Sequence, residues 1–385
     1  VLFRSIGSVP EHRYLRLDMQ KLNTVLRCLM LQALLLHASA AFSQQENLLN
    51  LYNWSDYIHP EVVAAFTEEY DIKVNYDIYD NSEIVDTKLL AGRSGYDLIF
   101  HGASFASRLV AIGVFQPLDK AKLSNWKNLD PKILAAIDEF DPGNRFGMPY
   151  MWGTTGVAYN ADIIEAIMPD APVDSYALIF DPAVISKFSD CGVSFLDDPT
   201  SVVPMAMIYL GLPFNSVEPQ HLKAVEELLT AVRPYIKYFS SSKLAIDLPS
   251  GEVCMAMSWS GDYAVATTRA REVGLNINFK YSMADEGGIG WYDMVYIPAD
   301  ATHVDNAHLF LNYLLRPDVI AKITNYIGYA NANLAANPLI SPEYFSDVAI
   351  YPDEQTFLKL EITHILEPKL ERKRSRTWTK IKSGL

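Results

Sequence analysis

Basic residues are scarce in this chain. Its 385 residues carry 32 Lys and Arg against 46 Asp and Glu, a formal charge of −14. A surface of that sign repels nucleic acid and anionic membrane and attracts cations, although acidity also serves solubility alone. Cysteine is scarcer still, with three residues, too few for a disulfide-dense scaffold. His59, His101, His303, His308 and His364 stand in separate segments, without an H-E-x-x-H spacing or a clustered Cys/His set. No metal and no other cofactor is expected. The nearest approach to the G-x-S-x-G elbow of a hydrolase, "GASFA" at 102–106, lacks the second glycine. There is no internal repeat or low-complexity block, and only one long apolar run, near the start.

That run points to a compartment. Met19 opens "MQKLNTVLRCLMLQALLLHASAAFSQQEN", with Lys21 and Arg27 as a basic region, an apolar stretch from Cys28 to Leu36, and small residues Ala38, Ser39, Ala40 and Ala41 for cleavage. Residues 19–43 are predicted to be a signal peptide, and residues 1–18 an upstream extension foreign to the native chain. The stretch falls short of the ~20 residues that span a bilayer, and no later segment approaches that length. Cys28 follows a bulky Arg27 and precedes the apolar run, which argues against a lipid anchor. Cleavage near Ser43 removes five basic residues (Arg4, Arg13, Arg16, Lys21, Arg27) and two acidic ones (Glu11, Asp18), moving the charge from −14 to −17. Cys191 and Cys254 remain. In an oxidising compartment they can form one disulfide, worth about 4 kcal/mol in the chain-entropy account, the alternative being two buried thiols.

Short apolar strands then alternate with amphipathic helices: "NLLNLYNW", "PEVVAAFTEEY", "IKVNYDIY", "SEIVDTKLLAG", "YDLIFHG". This is the rhythm of a parallel sheet with crossover helices. It resumes with "CGVSFLD", "SVVPMAMIYLGL", "PQHLKAVEELLTAVRPYIK" and "VCMAMSW". Near the end Asp305 is expected to cap one helix and Pro317 to start the next. Two Gly-containing extended segments, 148–160 and 287–298, read as crossings between two α/β lobes and as hinges.

Strand ends repeat a pairing of aromatics with carboxylates. "NWSDY" offers Trp54, Ser55, Asp56 and Tyr57; "SWSGDY" offers Trp259 and Asp262; "GWYDM" offers Trp291 and Asp293. "FLDDP" adds Asp198, "ASF" adds Ser104 and Phe105, and "GYANAN" adds Tyr329. In open α/β sheets ligands bind beyond the carboxyl ends of strands, so these loops are expected to meet in one cleft. Aromatic faces attract cations and carboxylates pair with ammonium groups, a combination suited to a hydrocarbon chain with positive ends. Each pair also has a plainer reading, a packed aromatic beside a helix cap.

From about residue 48 to the end the chain resembles the periplasmic polyamine-binding receptors of bacterial ABC transporters, nearest the putrescine-binding branch. The motifs are "YNWSDYI", "GVFQPLDK", "MPYMWGTTGVAYN", "CGVSFLD", "FLNYLLRPDV", "YANAN" and "RTWTKIKSG". The resemblance implies a two-lobed α/β periplasmic binding-protein fold of type II, each lobe a mixed, mostly parallel sheet flanked by helices. Lobe 1 would comprise 44–153 and 290–338, lobe 2 154–289 and 339–385. It implies a monomeric, non-enzymatic receptor that closes on a polyamine and delivers it to permease subunits in the inner membrane. It further implies a Cys191–Cys254 disulfide and a ligand box built from the twelve residues named above. Two positions depart from the family pattern: Ser201 stands where relatives carry a glutamate, and Gly102 replaces a serine of the putrescine branch. Asp198 matches the spermidine branch, which leaves the ligand between diamine and triamine.

Rival readings are a secreted hydrolase working through Asp262 and Asp293, a sensor presenting amine occupancy to a signalling partner, and a binder of another cation or of a sugar. The basic tail "KLERKRSRTWTKIK" is read as a solvated helix with Trp378 packed inward rather than a nucleic-acid surface.

Overall fold

In the computed structural model the described residues are 47–79, 82–362, 364 and 366–383. The predicted signal peptide and upstream extension lie outside them. Leu48–Trp54 (β1) alternates about Leu49 and Leu51, both fully buried, and pairs in parallel with Lys73–Tyr79 (β2) and with Leu98–Gly102 (β3). Between β1 and β2, Pro60–Tyr70 (α1) starts on Pro60 with His59 Nδ1 accepting from the Glu61 amide, buries Val62 and Phe66 four residues apart, and stops at Asp71 in the left-handed region. Ser82–Leu90 (α2) and Ala103–Ala111 (α3) complete this half.

Gly147–Asn160 (β4) is a fourteen-residue strand, buried except at its last residue. Val193–Phe195 (β5), Tyr238–Phe239 (β6), Met255–Trp259 (β7), Phe279–Ser282 (β8), Gly288–Tyr296 (β9), Ala330–Asn331 (β10) and Leu360–Ile362 (β11) complete the sheet. Its path runs β2-β1-β3-β9-β4-β7-β5-β6. The outer flanks are parallel, whereas β9 runs antiparallel to both β3 and β4, and β4 antiparallel to β7. Six further helices bear on the site and its surroundings: Pro199–Tyr209 (α4), Pro219–Val232 (α5), Ser260–Glu272 (α6), Val304–Leu314 (α7), Pro317–Ile327 (α8) and Pro368–Ser383 (α9).

Two large cores give the two-lobed, type II architecture. The first gathers Leu49, Phe66, Phe100 and Phe310; the second gathers Phe180, Phe195, Met205 and Leu229. β4 passes from one to the other, with Trp152 in the first and Val157 in the second, and β9 does the same between Tyr292 and Ile289. Leu48–Leu385 forms one compact unit around this shared sheet. Cys191 and Cys254 are joined in a disulfide, Cα atoms 5.5 Å apart, tying the start of β5 to that of β7. On α9 Trp378 is buried and donates from Nε1 to Asp197 (3.1 Å), while Arg372, Lys373 and Arg376 face solvent.

One cap differs from expectation. α7 begins at Val304 after His303, so Asp305 lies inside the first turn, where it favours the helix dipole and pairs with Lys122 at 2.6 Å. The Lys122 partner lies 183 residues away in sequence.

Candidate functional site

The sheet register builds one face of the site. Trp291 of β9 pairs with Gly153 of β4, Asp293 with Met151, and Trp259 of β7 with Thr155. Alternate residues of a strand share a face, so Trp291, Asp293 and Trp259 stand on the same side. Gly102, paired with Asp293 from β3, joins them. Glycine at 153 is needed here, since a β-carbon would lie 2.6 Å from the Trp291 ring and 2.8 Å from Ser260 Oγ.

Around that face five predicted residues form a continuous chain. Tyr57 donates its hydroxyl to Asp293 (2.8 Å), and its ring meets Tyr329 edge-on at 5.5 Å. The Tyr329 ring meets Trp291 edge-on at 5.3 Å, and its hydroxyl donates to Asp262 at 3.0 Å. Tyr150, from β4, anchors the Tyr57 backbone with a 2.7 Å hydrogen bond to its carbonyl. Asp262 lies in the first turn of α6, directly after Trp259. Both acids remain partly open to solvent, yet protein atoms crowd them on most sides.

The electrostatics follow from that crowding. Burial raises the Asp293 carboxyl to about 7 against the pull of the Tyr57 hydrogen bond. Burial raises Asp262 to about 6, opposed by the Tyr329 hydrogen bond and by Arg269. The same burial and neighbouring carboxylates push the Tyr57 and Tyr329 phenols well above their ordinary range, so both hydroxyls stay protonated donors. Neither Asp262 nor Asp293 forms an ion pair among the described residues. Two desolvated carboxylates without an ion-pair partner, one of them only within the reach of the Arg269 charge, form an unbalanced site.

The other predicted residues sit as follows. Phe105 and Ser104 are half-buried in the first turn of α3, and a β-carbon placed on Gly102 would lie 3.4 Å from Phe105 and 3.5 Å from Asp293 Oδ1. Trp259 packs on both cores. Trp54 ends β1 on the face of Ile99 rather than that of Gly102; its ring leans on Tyr79 at 4.4 Å, and its Nε1 has no acceptor among the described residues. Ser55 and Asp56 are exposed at a turn in which Asp56 takes φ of 53°. Asp198 caps α4, accepting from the Thr200 amide (2.9 Å), the Thr200 hydroxyl (2.7 Å) and the Ser201 hydroxyl (2.6 Å). Sequence reasoning missed Gly153, Tyr150 and Gly261; a glycine inside a strand or in the first helical turn signals close approach and was the available clue. Among the described residues no group of three His, Cys, Asp or Glu side chains is placed to hold a metal.

Comparison with known proteins places this geometry in context. Residues 61–352 match the model of the bacterial extracellular solute-binding protein family. The chain is 45% identical over 354 residues to the putrescine-binding periplasmic protein PotF of Escherichia coli, covering 91% of this chain and 96% of that protein. It is 45% identical to the putrescine-binding periplasmic protein SpuD of Pseudomonas aeruginosa, covering 90% and 95%. Among solved structures, the spermidine/putrescine ABC transporter substrate-binding protein PotD of Streptococcus pneumoniae superposes with a TM-score of 0.74 at 28% identity, covering 88% of this chain and 99% of that one.

Proposed function

The chain belongs to the bacterial extracellular solute-binding proteins, among their periplasmic polyamine-binding receptors, and from that premise we propose that it captures a linear polyamine between its lobes for an ABC importer. The observation that carries this reading is the pair Asp262 and Asp293, two largely enclosed carboxylates beside aromatic rings that make no ion pair among the described residues. A protonated amine supplies the missing charge at each acid, and Trp259, Trp291, Tyr329 and Phe105 supply faces for the methylenes. A sugar needs neutral hydrogen-bonding groups in place of these charges. A hydrolase needs a proton donor and acceptor poised on a scissile bond, and here each acid is occupied by a tyrosine hydroxyl. The relatives named above are binding proteins, which supports a non-enzymatic role.

In this reading the lobes are 44–153 with 290–338, and 154–289 with 339–385, hinged on β4 and β9. The protein works as a monomer in the periplasm after signal cleavage and hands its ligand to permease subunits in the inner membrane. Trp54, Ser55, Asp56 and Ser104 complete the ligand box from the rim, while Asp198, whose carboxylate accepts from Thr200 and Ser201, is left to cap α4. Calorimetric titration of refolded, ligand-free protein with putrescine, cadaverine, agmatine, spermidine and spermine tests the proposal. Saturable one-to-one binding of at least one amine, unchanged on recovery, is expected. Absence of binding to all five overturns it.

A further inference from the structure

Tyr329 is held from three sides. Its hydroxyl is fixed on Asp262 at 3.0 Å, and its ring is bracketed by Tyr57 and Trp291. The remaining side is closed by backbone. A β-carbon added to Gly261, in the first turn of α6, would sit 2.3 Å from three ring carbons of Tyr329, well inside van der Waals contact. The approach is reciprocal. Gly328 ends α8 with φ of 75°, and a β-carbon there would lie 2.7 Å from the Ala264 methyl and 3.1 Å from the Gly261 carbonyl. Two helix ends therefore meet through two residues that lack side chains, and Tyr329 follows directly on the second.

We propose that Gly261 is a positioning residue for the amine site, seating the Tyr329 ring so that its hydroxyl orients the Asp262 carboxylate. This rests on the reading of Asp262 as an amine partner. A methyl group at 261 has no room unless the ring moves, and Tyr57 and Trp291 block its retreat within the aromatic cluster. The ring must swing off Asp262, which releases the carboxylate and changes the shape of the methylene-binding face. Helix propensity works in the opposite direction, since Ala is the better helix former, so a loss in Gly261→Ala has its origin in the displaced ring.

The test is a double-mutant cycle with putrescine and spermidine as probes, read by calorimetry alongside thermal unfolding. Gly261→Ala is expected to weaken binding about 30-fold, Tyr329→Ala by a similar factor, and the double variant no further than Tyr329→Ala. The pH at which Asp262 titrates, followed by carboxyl NMR in the ligand-free protein, is expected to rise in Gly261→Ala, because the Tyr329 hydrogen bond that holds it down is lost while Arg269, and Tyr281 of β8, whose phenol interacts electrostatically with Asp262, stay in place. Should Gly261→Ala alone fail to fold while the double variant folds, the steric link to Tyr329 is supported. Losses that add in the double variant, or a Gly261→Ala protein binding within twofold of wild type, overturn the proposal, as does failure of both variants to fold. A wild-type protein that binds neither amine defeats the reading of the site instead, and the NMR titration still judges the role of Gly261.

Discussion

Asp293, an acid of the proposed amine site, shows what such a site costs its own fold. Its carboxyl is raised to about 7 by burial, so the folded protein holds the proton more tightly than the unfolded chain does. The stability that this group contributes is complete below about pH 4 and is lost as pH rises through about 7. Asp293→Asn keeps the shape and removes the charge. At pH 8 the ligand-free variant is expected to melt above the wild type by a few degrees in differential scanning fluorimetry. Its amine affinity is expected to fall about 100-fold, near 2–3 kcal/mol, because an ammonium would then enter a crevice without its counter-charge. An unchanged affinity would remove Asp293 from the site. At this scale the sequence was partly legible. The pairing of Trp291 with Asp293 showed in "GWYDM", but the tyrosine hydroxyl that closes Asp293 comes from Tyr57, 236 residues away, and no local spacing encodes that contact.

At the scale of the element, strands and helices were readable because burial imposes their periods, two for β1 and near four for α1. Register was not readable. Trp259 and Trp291 share a face through their partners on β4, while Trp54, written in the same aromatic-acid idiom, ends its strand on the other face. Caps were readable only as residue types. Asp305 has the composition of a cap and lies inside the turn; Asp198, expected among the ligand residues, also caps α4. Asp198→Asn separates these roles, since asparagine caps as well as aspartate but carries no charge. The expected outcome is a stability change within about 0.5 kcal/mol and less than threefold loss of affinity for putrescine or spermidine, because three donors already occupy the carboxylate. A tenfold selective loss for spermidine in calorimetry would instead assign an amine to Asp198.

For the whole molecule, the proposed role of the two acids makes amine capture a proton-linked process. Ammonium groups of an aliphatic polyamine stay charged across the neutral range, so the pH dependence belongs to the protein. Burial raises Asp262 to about 6 and Asp293 to about 7, and an incoming cation favours the ionised form of both. Affinity is therefore expected to rise with pH and to level off above about 8, with a loss on the order of 1000-fold by pH 5, about 100-fold from Asp293 and about tenfold from Asp262. The sign of proton exchange follows. Near pH 7 a fraction of Asp293 is protonated before binding and ionised after it, so capture releases protons to the buffer. Titrations in two buffers of different ionisation enthalpy measure that release directly: about half a proton per ligand at pH 7 is expected, shrinking toward zero at pH 9 and falling to about a tenth of a proton, from Asp262, in Asp293→Asn. Proton uptake, or affinity independent of pH between 5 and 8, would mean that the ligand's charge is met elsewhere than in this crevice.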